Sequence, residues 1–118
     1  MGHGVEGRVG CAQLDAAAVK TIATTLQALS TPSRLLILAR LRESPTSVGE
    51  LARAVAMEPS AVSHQLRLLR ALGLVDSERQ GRTVVYSLYD THVAQLIDEA
   101  IYHVEHLRLG RPDRDVPA

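Results

Sequence analysis

Apolar residues recur at helical spacing from the first ordered stretch of the chain. Val19, Ile22, Ala23, Leu26 and Leu29 share one face of a helix predicted from about Asp15 to Leu29. Ser30, Thr31 and Pro32 then predict a stop and a restart, with a hydroxyl cap followed by Pro at the first helical position. From Pro32 to about Arg42 the residues Leu35, Leu36, Ile37, Leu38 and Leu41 leave little polar face, which predicts a helix buried on all sides. Ser44 and Pro45 break the chain. Ser47 and Glu50 have the spacing of a capping box, opening a short helix that carries Leu51, Ala52 and Val55. Ala56, Met57 and Glu58 form a tight turn, Pro59 opens the next helix, and Gly73 ends it. The period then changes from helix to strand. Leu74–Arg79 and Arg82–Leu88 read as the two arms of a β-hairpin turned by Gln80 and Gly81. Asp90 and Thr91 cap a last helix running to about Leu107.

These elements predict a mainly α fold with a small β-hairpin. Two short helices joined by a three-residue turn and followed at once by a hairpin make a winged helix-turn-helix. Residues 1–13 are Gly-rich and aperiodic and read as a flexible arm, 14–107 as the domain, and 108–118 as a flexible tail. The length of 118 residues fits one domain. With no Trp or Phe and only 3% aromatic residues, its core must be aliphatic. A single cysteine, Cys11, excludes a disulfide scaffold. No apolar run approaches the ~18 residues of a membrane span, and the start has no apolar stretch behind a basic one. A soluble cytoplasmic protein with no membrane partner is expected.

The second helix of the helix-turn-helix carries candidate DNA contacts. Val62, Leu66 and Leu69 share the inward face, while Ser60, Ser63, His64 and Arg67 lie opposite, with Gln65 at the edge. Hydroxyl, imidazole, amide and guanidinium groups suit phosphate contact and base-edge reading in the major groove. Arg79 and Arg82 flank the hairpin tip, placed to reach phosphates or an adjacent minor groove. Double-stranded DNA is the expected partner.

The last helix carries a different chemistry. Three of the five histidines, His92, His103 and His106, sit on it. At 100° per residue, His103 lies at about 20° and His106 at about −40° from His92, beside an apolar stripe of Val93, Leu96, Ile97, Ala100, Val104 and Leu107. Along the axis His92 and His103 are about 16 Å apart, too far for one ion with ~2 Å bonds. An antiparallel second copy would bring Asp90 and His92 of one subunit beside His103 and His106 of the other, giving two symmetric metal sites. The apolar stripe would be the seam of a homodimer formed through the terminal helices.

Together these residues resemble the ArsR/SmtB family of dimeric, metal-responsive winged-helix repressors, over nearly the whole chain. The segment Ser60–Arg67 is similar to the family's recognition helix. Asp90, His92, His103 and His106 match its C-terminal-helix metal site. The family's other common site is a cysteine pair in the helix before the recognition helix. Here residues 48–55 contain no cysteine, which speaks against thiolate-based arsenic, cadmium or lead sensing. The start of the chain, with the stretches around His92 and His103, is similar to the family's nickel- and cobalt-sensing members. In those members the N-terminal arm supplements the helix ligands, which implies Gly2 and His3 as further donors. They also carry histidines beyond the helix, whereas Arg108 and a histidine-free tail follow here.

The resemblance implies a repressor that is not an enzyme. Its metal-free dimer binds operator DNA, and Ni²⁺ or Co²⁺ releases it to derepress efflux or resistance genes. Four N/O ligands suit tetrahedral Zn²⁺, and six suit octahedral Ni²⁺ or Co²⁺. A zinc sensor, or a winged-helix dimer binding DNA or a partner without a metal response, stays open at this point.

Charge changes the picture last. The chain carries 13 Lys+Arg and 13 Asp+Glu. Residues 30–86 hold eight Arg against five acids, and residues 87–107 hold four acids with no Lys or Arg. Neutrality therefore joins a basic DNA-reading half to an acidic helix that favours a cation.

Overall fold

A computed structural model describes residues 14–110. The elements run α1 (Ala16–Ala28), α2 (Pro32–Glu43), β1 (Thr46–Ser47), α3 (Val48–Val55), α4 (Pro59–Ala71), β2 (Val75–Gln80), β3 (Thr83–Leu88) and α5 (Thr91–Arg108). The expected arm, with Gly2, His3 and Cys11, and the tail beyond Gly110 lie outside the described residues.

Local chemistry explains most boundaries. Asp15 caps α1 by accepting from the Ala18 amide, and Pro32 and Pro59 stand at the starts of α2 and α4, where no helical partner is needed for a proline nitrogen. Gly73, at φ +75°, closes α4: its amide donates to Arg70 and the Leu74 amide donates back to Leu69. Ala56 closes α3 in the same way at φ +57°, with its own amide on Arg53 and that of Met57 on Ala52. A side chain in that left-handed conformation is strained where glycine would not be.

Leu51, Val62, Leu66, Leu69, Ile37, Leu38, Val75 and Ile97 form the centre of an aliphatic core. α2, α3 and α4 wrap it, the sheet closes one side, and the first half of α5 adds Val93 and Ile97.

The structure corrects several sequence expectations. The hairpin is part of a three-stranded antiparallel sheet in the order β1-β3-β2, because Thr46 and Ser47 pair with Tyr86 and Val85. A two-residue strand is too short to show alternation. The wing turn is Gly81-Arg82, with Gln80 paired to Thr83, because Gly81 takes the positive φ that a tight turn needs. The burial along β3 does not alternate: Val84–Leu88 are all half-buried. α2 is not buried all round, for Leu36 is 50% exposed and Leu35 lies at the surface. Neither hydroxyl caps α2: Thr31 makes no side-chain cap bond, and Ser30 Oγ donates back to Gln27 of α1. The capping box is half formed. Ser47 Oγ accepts from the Glu50 amide at 3.3 Å, and the Glu50 carboxylate meets that same hydroxyl rather than the Ser47 amide.

Among the described residues two apolar faces are left without cover. Ala28 is the one buried residue of α1, so Val19, Ile22 and Leu26 face outward. No residue of α5 after Ile97 is buried, and Ile101, Val104 and Leu107 project beyond the domain.

Candidate nucleic-acid interface and metal half-sites

α4 is held by Val62, Leu66 and Leu69, all fully buried. That anchoring turns Ser60, His64 and Arg67 outward on the exposed face, with Ser63 half-buried beside them. Gln65 is engaged inside the protein: its Nε2 donates to Ser33 Oγ of α2 at 3.0 Å, and its Oε1 is buried without a partner. Its amide therefore fixes how α4 sits on α2. On the wing, Arg82 occupies the tip itself, and Arg79 reaches across it to the Gly81 carbonyl at 3.4 Å. Both remain exposed. The geometry combines a rigid helix with polar outward groups and a basic hairpin tip, which suits a helix in the major groove with the wing on flanking backbone.

α5 holds the other candidate residues. Asp90 is both cap and candidate ligand: one carboxylate oxygen accepts from the Val93 amide at 3.1 Å, and the other lies 3.3 Å from His92 Nδ1. The Val93 amide, with a smaller contribution from His92, holds the Asp90 carboxyl below the usual carboxylate range. His92 is freely accessible. At the other end His103 is exposed and His106 is half-buried, its ring in edge contact with Tyr102 at 5.8 Å. The two pairs are a helix length apart. Among the described residues no three His, Cys, Asp or Glu side chains of one chain gather closely enough to hold a metal ion.

The sequence reading missed Ser33, Arg42 and Asp98. Arg42 of α2 grips Asp98 of α5 through Nε and Nη2 at 2.9–3.2 Å. This raises the Arg42 pKa and lowers that of Asp98. No periodicity signals such a pair, because its partners are 56 positions apart.

The profile of the bacterial regulatory protein arsR family matches residues 31–77, which run from α2 through α4 into β2. The chain is 66% identical over 115 residues to the HTH-type transcriptional regulator NmtR of Mycobacterium tuberculosis, covering 97% of this chain and 96% of that protein. The chain belongs to the ArsR family. As a member it is a bacterial transcriptional regulator and not an enzyme. The structural likeness extends over nearly the whole chain. The solution structure of apo-NmtR superposes with a TM-score of 0.72 at 64% identity, covering 99% of this chain and 98% of that one. A homodimeric winged helix-turn-helix DNA-binding domain from Mycobacterium bovis superposes with a TM-score of 0.74 at 28% identity, covering 82% and 92%. No helix among the described residues is long and apolar enough to cross a membrane.

Proposed function

We propose that the protein is a metal-responsive repressor whose metal-free homodimer binds operator DNA and whose α5 helices take Ni²⁺ or Co²⁺ to release it. The observation that carries this reading is the division of donors on α5. Asp90 with His92, and His103 with His106, stand toward opposite ends of a helix whose second half has no apolar cover among the described residues. A two-fold copy laid antiparallel supplies both needs, burying the uncovered stripe and completing two four-donor sites. α1, with its own outward Val19, Ile22 and Leu26, extends the same seam.

The donors fit a borderline divalent cation. One carboxylate and three imidazoles per site are nitrogen and oxygen ligands without thiolate, and residues 87–107 bring four acids with no Lys or Arg. Gly2 and His3 of the arm would raise the donor number to six, which favours octahedral Ni²⁺ or Co²⁺ over tetrahedral Zn²⁺. On the DNA side, Ser60, Ser63, His64 and Arg67 would face the groove and Arg79 and Arg82 the backbone, with Gln65 setting the seat of the recognition helix.

The test is a titration of the full chain on a duplex selected from a random pool by the metal-free protein, at fixed salt, with and without Ni²⁺, Co²⁺ and Zn²⁺. Weaker binding with Ni²⁺ and Co²⁺ supports the reading, and a response to Zn²⁺ alone transfers it to zinc. Unchanged affinity with all three overturns it. His3→Ala should impair the Ni²⁺ and Co²⁺ responses more than Zn²⁺ binding, and equal losses would remove the arm from the site.

A further inference from the structure

Hydrogen bonds that involve a side chain are nearly all local in this protein. Among the described residues each joins groups at most four positions apart, with two exceptions. One is the two-pronged Arg42–Asp98 pair between α2 and α5. The other is the Gln65–Ser33 bond between α4 and α2. Both exceptions end on α2, and their far ends lie on the two helices that carry the proposed functions. Ser33 is near the start of α2 and Arg42 near its end. Nine residues separate them, about 14 Å along the axis and about 180° around it. α2 is thus tied to the recognition helix on one side at one end, and to the metal-bearing helix on the other side at the other end.

We propose that α2 is the rod that couples metal binding to DNA release, with Arg42–Asp98 and Ser33–Gln65 as its two joints. The inference rests on the proposed function and names how that function is transmitted. Ile37, Leu38 and Leu41 embed the rod in the core, so it moves as a unit. Interdigitated apolar packing holds α2 against its neighbours, and a bidentate guanidinium–carboxylate pair adds an orientation fixed in a plane. At the other joint the Gln65 amide has no second partner among the described residues, and the Ser33 hydroxyl orients it. Arg42, Asp98 and Ser33 are positioning residues and touch neither ligand in this reading.

The two joints act in series, and that gives the test. The metal-induced drop in affinity for the selected duplex is measured by fluorescence anisotropy with Ni²⁺ for the wild type, Asp98→Ala, Ser33→Ala, the double variant, and the exchange Arg42→Asp with Asp98→Arg. Nickel affinity without DNA is measured alongside. A wild-type factor within the usual coupling range of roughly 5- to 150-fold is expected. Each single variant should bring that factor close to one, while nickel affinity stays within about twofold, the usual spread for independent sites, and metal-free duplex affinity holds to the same spread in Asp98→Ala. The double variant should lose no more than either single, and the exchanged pair should regain part of the response, which a merely structural role would not produce. A single variant that keeps the wild-type factor, or losses that multiply in the double, overturns the inference while the proposed function stands. A wild type without any metal response overturns both.

Discussion

Leu107→Ala tests the two-fold seam, and its magnitude follows from the exposure of that residue in a single chain. Leu107 is 58% exposed on the uncovered half of α5. Truncation to alanine removes three carbons, about 2.4 kcal/mol if fully buried at ~0.8 kcal/mol each. Scaled to the fraction that only a partner can cover, the loss is about 1.4 kcal/mol per copy. Two-fold symmetry counts it twice, so the dimer should weaken by about 3 kcal/mol, or roughly a hundredfold in dissociation constant. Sedimentation equilibrium over a concentration series reads that shift directly. Leu68→Ala is the control, because Leu68 is also exposed, at 41%, but lies on α4. It should leave the dimer constant unchanged. Equal shifts for the two variants would refute the assignment of the seam to α5, since general loss of apolar surface would then explain both.

Other expectations follow from individual groups. Ala56→Gly relieves the left-handed strain at the end of α3 against a smaller loss of unfolded-chain restriction, and should raise stability by about 0.5–1 kcal/mol in a denaturant titration. Arg82→Ala should weaken binding to all duplexes alike and lower the slope of log affinity against log salt by about one, if the wing tip meets a phosphate. The Asp98 carboxyl titrates below its ordinary range because Arg42 holds it charged, so its contribution to stability is present above pH ~4 and lost as the pH falls through the lowered folded value. Between pH 5 and 2 the wild type should therefore lose more stability than Asp98→Asn, as read by urea midpoints.

The fold was legible wherever a physical rule acts within a few residues. Pro32 and Pro59 mark helix starts, Gly73 ends α4, and the switch from a period of 3.6 to a period of 2 places the wing, all from local sterics. Misreadings occur where the deciding partner is distant. β1 exists because β3, forty residues later, offers an edge to Thr46 and Ser47. Leu35 and Leu36 are as apolar as Leu38, and nothing local says that the core ends before reaching them. Gln65 looks like a base-reading amide from its helical angle, yet a hydroxyl 32 positions away engages it. The Arg42–Asp98 pair has the same character.

The proposed metal ligands show the opposite relation between sequence and structure. In one folded chain they look like nothing: an N-cap with a histidine beside it, and two histidines on an open helix face. The sequence makes the stronger argument, because ligands divided across a two-fold axis must appear as two pairs at opposite ends of one element, on one side of an apolar stripe. The uncovered stripe after Ile97 supplies the structural half of that argument, since a helix does not expose Ile101, Val104 and Leu107 together without a partner surface. The charge pattern agrees. Residues 87–107 hold four acids and no Lys or Arg; Arg42 and Arg108 pair with Asp98 and Glu105, and a cation between two such helices would offset the charge left on the others. In the proposed reading, metal binding and the geometry of the dimer are one electrostatic problem. That is the physical reason to expect an effector placed on α5, rather than on the basic recognition face, to control how far apart the two α4 helices stand.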